Sequence, residues 1–214
     1  MPSFLLFLLL LLNLVISVFN AYSVGRYWTE RGQLPTWSRI MMWSGAIMSV
    51  CGFFVVYVTL LTMVMSELHA FEFLAQAFLK IKLEPGEVQE LVQTIFEIAY
   101  LGVIFPILGT GLAITVNSWV VAAAKRDPGS IGLAIYNTGA QVHNLVSAVR
   151  NIPRATQHLS GGLKIKFGKD SGKAFAYLAL LLLPIVISLG GALASTTIIM
   201  RAADNRYEMD DLAS

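Results

Sequence analysis

The chain has 214 residues, 56% of them hydrophobic and 13% charged, with a formal net charge of +2. A soluble domain carries about 25% charged residues, so this composition, with a mean hydropathy of +0.68, excludes that class and describes a polytopic integral membrane protein. Nothing in the charge balance points to nucleic acid, and a single cysteine, Cys51, excludes an intramolecular disulfide.

Four apolar stretches, at about residues 4–22, 41–65, 98–124 and 174–200, predict membrane-spanning helices. At about 1.5 Å rise per residue each can cross a hydrocarbon core of roughly 30 Å. The expected fold is therefore all-α: a single membrane domain over 1–214, built as a four-helix bundle. An acidic tail occupies 201–214.

The first span is leucine-rich, interrupted only by Asn13 and Ser17, and belongs at the bundle periphery. Its Leu5–Leu12 core resembles a secretory signal, but it lacks a basic leader and a small-x-small cleavage site, so an uncleaved anchor is expected. The following connection is basic, with Arg26, Arg31 and Arg39. Span 2 places Gly45, Ser49 and Gly52 on adjacent turns, small residues that let a neighbouring backbone approach closely.

Beyond it, Ser66–Glu90 reads as an imperfectly amphipathic helical extension, turned at Glu84-Pro85-Gly86. Glu87, Glu90 and Glu97 then share one face as the chain enters span 3. An intramembrane carboxylate is costly and marks a functional site by default; Glu97 is either that or the last turn before water. Pro106, Gly109 and Gly111 predict a local distortion of this helix. The stripe Glu97, Leu101, Ile104, Leu108, Gly111, Thr115 and Ser118 would line a cation-preferring path if the protein conducts ions, with Leu108 in an apolar constriction.

After Lys125 and Arg126, Asp127-Pro128 predicts a helix start. Residues 130–154 carry an apolar stripe (Ile131, Ile135, Val142, Leu145, Val146, Val149) opposite a polar side, which predicts an amphipathic helix lying flat in the inner interface. Arg150, Arg154, Lys164, Lys166, Lys169 and Lys173 then form a basic link suited to anionic lipid headgroups. Span 4 contains overlapping small-x-x-x-small pairs, including Gly190/Ala194 and Gly191/Ser195, which predict close packing on another helix of the same or a second copy.

Basic connections stay cytoplasmic. The first and third are basic and the second and the tail acidic, so both termini are expected on the non-cytoplasmic side of a plasma membrane or bacterial inner membrane. Trp28, Trp37, Trp43 and Trp119 gather at the same predicted inner boundary.

Catalytic chemistry is not expected. No Gly-x-Ser-x-Gly elbow occurs. The stretch Gly162–Asp170 departs from a phosphate loop by one extra residue, with Asp170 where Ser or Thr is needed. His69, Glu67 and Glu72 do not share a helical face, so neither metal nor cofactor is expected. Two functions remain: a non-enzymatic scaffold or accessory subunit of a membrane assembly, formed with copies of itself or other membrane subunits, or an oligomeric channel with span 3 lining the path. A secondary transporter would want a paired break in a repeated half, and no repeat is present.

Overall fold

The computed structural model describes residues 2–166 and 171–213, with side chains described for 4–160 and 174–205. Six α-helices and a single-turn 3-10 helix (Thr29–Gly32) account for the fold, with no strand among the described residues. They are α1 (Pro2–Gly25), α2 (Thr36–Glu67), α3 (Ala70–Leu79), α4 (Pro85–Lys125), α5 (Pro128–Lys166) and α6 (Ser171–Ala213). Four helices, α1, α2, α4 and α6, are long and apolar enough to cross a membrane.

Helix α2 sits at the centre, packed on α1, α4 and α6. Its contact with α1 rests on small groups. Gly45 faces Val24, Gly52 faces Ser17, and the Ser49 hydroxyl bonds the Ser17 carbonyl at 2.9 Å and the Thr196 hydroxyl at 3.1 Å. These contacts set α1 antiparallel to α2, with both near the 3-10 turn at one end. At the other end Phe53, Phe71, Leu91, Ile95 and Leu181 form a fully buried core from α2, α3, α4 and α6.

Of the overlapping small-residue pairs of span 4, Ser188/Ala192 and Gly191/Ser195 turn toward the other helices and Gly190/Ala194 does not. Ser188, Ala192 and Thr196 are buried, Gly191 meets the Tyr57 ring, and Ser195 bonds the Tyr57 hydroxyl at 2.7 Å. Gly190 and Ala194 face away from the other helices. The turn of about 100° per residue places 188, 192 and 196 on one stripe and leaves 190 and 194 well round from it. Helix α6 also continues past residue 200 to Ala213, so the acidic tail extends the helix.

Two breaks differ from their expectation. The extension after α2 ends at His69, which adopts a left-handed conformation (φ 53°), and α3 folds back so that Phe71 and Ala75 are fully buried. Helix α4, in contrast, runs unbroken through Pro106 for 41 residues. Thr110 and Thr115 each return a hydroxyl to the carbonyl four residues back, at 2.6 and 2.8 Å, using local acceptors inside the helix.

The largest difference concerns α5. It does not lie across the bundle end but runs antiparallel along α4, the helix on which it packs most extensively among the described residues. Trp119 bonds Thr138 at 2.9 Å, Gln141 bonds the Leu108 carbonyl at 2.9 Å, and His158 meets Glu97 at 2.7 Å. From Trp119 to Glu97 is roughly 33 Å of helix, the depth of a membrane. The reason lies in spacing. Ala134, Gln141, Ala148 and Ala155 recur every seven residues, and the alanines are buried at 0%, 3% and 6% exposure. A seven-residue repeat makes a helix-on-helix seam, and alanine lets the two backbones approach.

Five long helices thus alternate in direction. The start of α1 lies at the α3 end, whereas α6 reaches the 3-10 turn, where Thr29 donates its hydroxyl to Asp204 at 2.6 Å. The start of α1 and the end of α6 therefore lie at opposite ends of the bundle. Arg150 and Arg154 accordingly join the acidic end, away from Lys125 and Arg126.

The start of α5 is capped as its sequence suggests. Asp127 accepts from the Ser130 backbone N–H at 2.9 Å and from its hydroxyl at 2.7 Å. Chiefly through that hydroxyl, the Asp127 carboxyl is held below its ordinary range. A depressed carboxyl contributes stability above its unfolded value and loses it as pH falls through the lower folded one. Asp127→Ala is therefore expected to increase amide hydrogen exchange over Gly129–Ile131 at neutral pH, with mutant and wild type converging in strong acid. Equal exchange in both at pH 7 would rule out the cap.

Candidate functional site

The polar chemistry of the described residues concentrates between α4 and α5. Glu97 is 18% exposed and its carboxylate is doubly engaged. One oxygen accepts from the Gln93 amide at 3.0 Å; the other meets His158 Nδ1 at 2.7 Å. One turn deeper, the Tyr100 hydroxyl lies 3.4 Å from the Ser147 hydroxyl, to which Asn151 donates at 3.1 Å. Between these groups opens a cleft of about 480 Å³, lined by Gln93, Glu97, Tyr100, Asn151 and Arg154 with Val92 and Phe96 as an apolar wall.

Midway along the seam, Gln141 occupies the space that a side chain at Gly111 would fill. Its amide nitrogen reaches the Leu108 carbonyl, while its own oxygen is buried without a partner in the described structure. A lone polar residue in an otherwise alanine seam fixes register, because any slip strands its amide in an apolar contact. Farther on, Thr115 also approaches the Asn137 carbonyl at 3.3 Å, and Ser118 is buried.

The stripe expected to line an ion path therefore faces α5 at Glu97, Leu108, Gly111 and Thr115. Their polar groups serve the helix-helix contact. Of the other expected acidic residues, Glu87 belongs to the capping box of α4, its side chain accepting from the Glu84 N–H at 2.9 Å. The Glu90 backbone carbonyl accepts from the Thr94 hydroxyl at 2.7 Å. Arg150 and Arg154 are exposed. The side chains of Lys164, Lys166 and Lys173, and the whole of Lys169, lie outside the described residues. No group of three or more His, Cys, Asp or Glu residues is placed to hold a metal among the described residues.

His158, Gln141, Tyr100 and Ser147 were not singled out by the sequence. One signal could have found two of them, His158 and Gln141: Asn137, Asn144, Asn151 and His158 recur every seven residues beside the column that holds Gln141. Two adjacent seven-residue columns, one small and one polar, announce a helix packed along its length.

Compared with family models, with curated proteins and with solved structures, the chain finds no match.

Proposed function

We propose that this protein is a non-enzymatic component of a membrane assembly, a scaffold or accessory subunit in which α5 is a fifth crossing helix. The observation that carries the reading is the α4–α5 seam: Trp119 pairs with Thr138, Gln141 with the Leu108 carbonyl and Glu97 with His158 across it, while Leu133, Ile135, Val142, Val146 and Val149 stay exposed on α5. Pro128–Val149 carries no charged residue and covers roughly 33 Å as a helix. Such a helix crosses hydrocarbon with its polar side against a partner and its apolar side outward.

The channel alternative is the less supported, since Glu97, the Leu108 carbonyl, Gly111 and Thr115 of the stripe assigned to a conduit meet α5 within the protomer. Reconstitution in liposomes tests the choice. Cation flux is expected at the level of empty vesicles, and Leu108→Ser is expected to leave it there, while the purified protein runs as a defined oligomer or is recovered with another membrane subunit. Sustained, Leu108-sensitive flux would overturn the proposal. Five crossings also part Arg150 and Arg154 from Lys125 and Arg126, so the alternation of basic and acidic connections no longer selects which end faces the cytoplasm.

A further inference from the structure

The cleft at the Glu97 end of the α4–α5 pair has the makings of a ligand site that is independent of the scaffold role. Its acidic group is already spent: both Glu97 oxygens are occupied, by Gln93 and His158. Its basic group is not. Arg154 lines the cleft and forms no ion pair with any described residue. Asn151 uses one amide hydrogen on Ser147 and has a second to give. Gln89 adds another amide at the rim. A guanidinium with two amide donors, set beside a carboxylate whose two oxygens are both engaged by Gln93 and His158, selects an anion, and the planar fork of arginine suits phosphate in particular.

The surroundings narrow the source of that phosphate. The cleft lies where the apolar part of α4 begins, and Val92, Phe96 and Ala155 form one of its walls. A free phosphate has no use for an apolar wall, whereas a glycerophosphate esterified to acyl chains does. We propose that this cleft binds the phosphodiester headgroup of an anionic phospholipid, with Arg154 as the principal phosphate ligand and Asn151 as a supporting donor. The volume of about 480 Å³ accommodates a headgroup and glycerol, leaving the acyl chains to lie outside along the exposed apolar surface of α5.

The test uses the full chain in a neutral detergent. Native mass spectrometry counts phosphatidylglycerol retained per chain, with phosphatidylcholine and inorganic phosphate as separate probes. Wild type is expected to hold one phosphatidylglycerol in preference to phosphatidylcholine, undisturbed by millimolar inorganic phosphate. Arg154→Gln is expected to weaken retention about fivefold, the contribution of one basic residue at a lipid surface. Arg154→Lys is expected to fall between, since it keeps the charge and loses the fork. Arg26→Gln, at the far end of the bundle, should bind as wild type does. Because Arg154 is exposed, its variants are expected to melt with wild type, and a melt alongside each binding measurement separates lost binding from lost fold. Equal retention by wild type, Arg154→Gln and Arg154→Lys would overturn the site, as would equal retention of the two lipids. Displacement of the lipid by inorganic phosphate would overturn the lipid assignment in favour of a soluble anion.

Discussion

Gly25→Leu is expected to prevent formation of the native bundle, with a loss of about 3 kcal/mol or more, at the upper end of overpacking costs. Gly25 is the last residue of α1, and the main chain of α6 passes directly over it. A Cβ built there would strike the Met200 carbonyl oxygen, stand 2.7 Å from the Met200 Cα and lie 2.8 Å from the Ala203 Cβ. None of these atoms can rotate away, because two belong to helix backbone and the third is fixed to it. Relief would require α6 to slide or α1 to tilt, and either motion disturbs Ser49, which is bonded to both helices. Gly111→Leu makes an instructive contrast. There the obstacle is the end of the Gln141 side chain, which can turn aside at the cost of its bond to Leu108. The glycine at 25 should therefore be the less forgiving of the two. Thermal melting in detergent and the monodispersity of purified protein read the effect directly. A Gly25→Leu protein that melts within a few degrees of wild type would refute the close approach.

The second large effect is all-or-none. On the five-crossing reading, reporters fused before Pro2 and after the α6 helix should register opposite compartments. The four-span reading of the sequence requires the same compartment for both. A phosphatase active only outside the cytoplasm, paired with a fluorescent protein that matures only within it, gives the contrast in one experiment. A third fusion in the connection between α5 and α6 should agree with the N-terminal one. Agreement of both termini would return α5 to the surface and undo the membrane-depth seam.

How much of this was legible in the sequence depended on the kind of residue involved. The four apolar helices were, because long runs of leucine, valine and isoleucine are sufficient in themselves. Asp127-Pro128 was, since a cap is a local event decided by neighbouring residues. The placement of α5 was not. Its stripe at Ile135, Val142 and Val149 is genuine, but an apolar flank over a polar one is common to a helix at an interface and to a helix buried by a polar partner. Only the partner distinguishes the two, and Gln141 reveals it through a carbonyl thirty-three positions away. The candidate site failed for the same reason. Glu97 was visible as an acid at a membrane boundary, whereas its partner His158 is sixty-one residues distant in the chain, and no local pattern links the two. Gly190 and Ala194 were misplaced by a fraction of a helical turn, an error that spacing alone permits when small residues crowd every face.

The polarity of α5 bears on how the protein is made. A segment containing Asn137, Gln141, His143 and Asn144 gains too little from leaving water to enter a bilayer unaided, since each amide carries its hydrogen-bonding demand with it. Held against α4, the same segment turns outward chiefly Ile135, Val142, Val146 and Val149, with His143 the exposed exception among the four polar residues. On the five-crossing reading, insertion of α5 is then a property of the hairpin, and the emerging chain must keep α4 within reach of the translocation machinery until α5 has been synthesised. A ribosome that has just finished Lys125 has made a helix whose partner does not yet exist, and the short turn at Asp127 ensures that the partner is the next thing to appear.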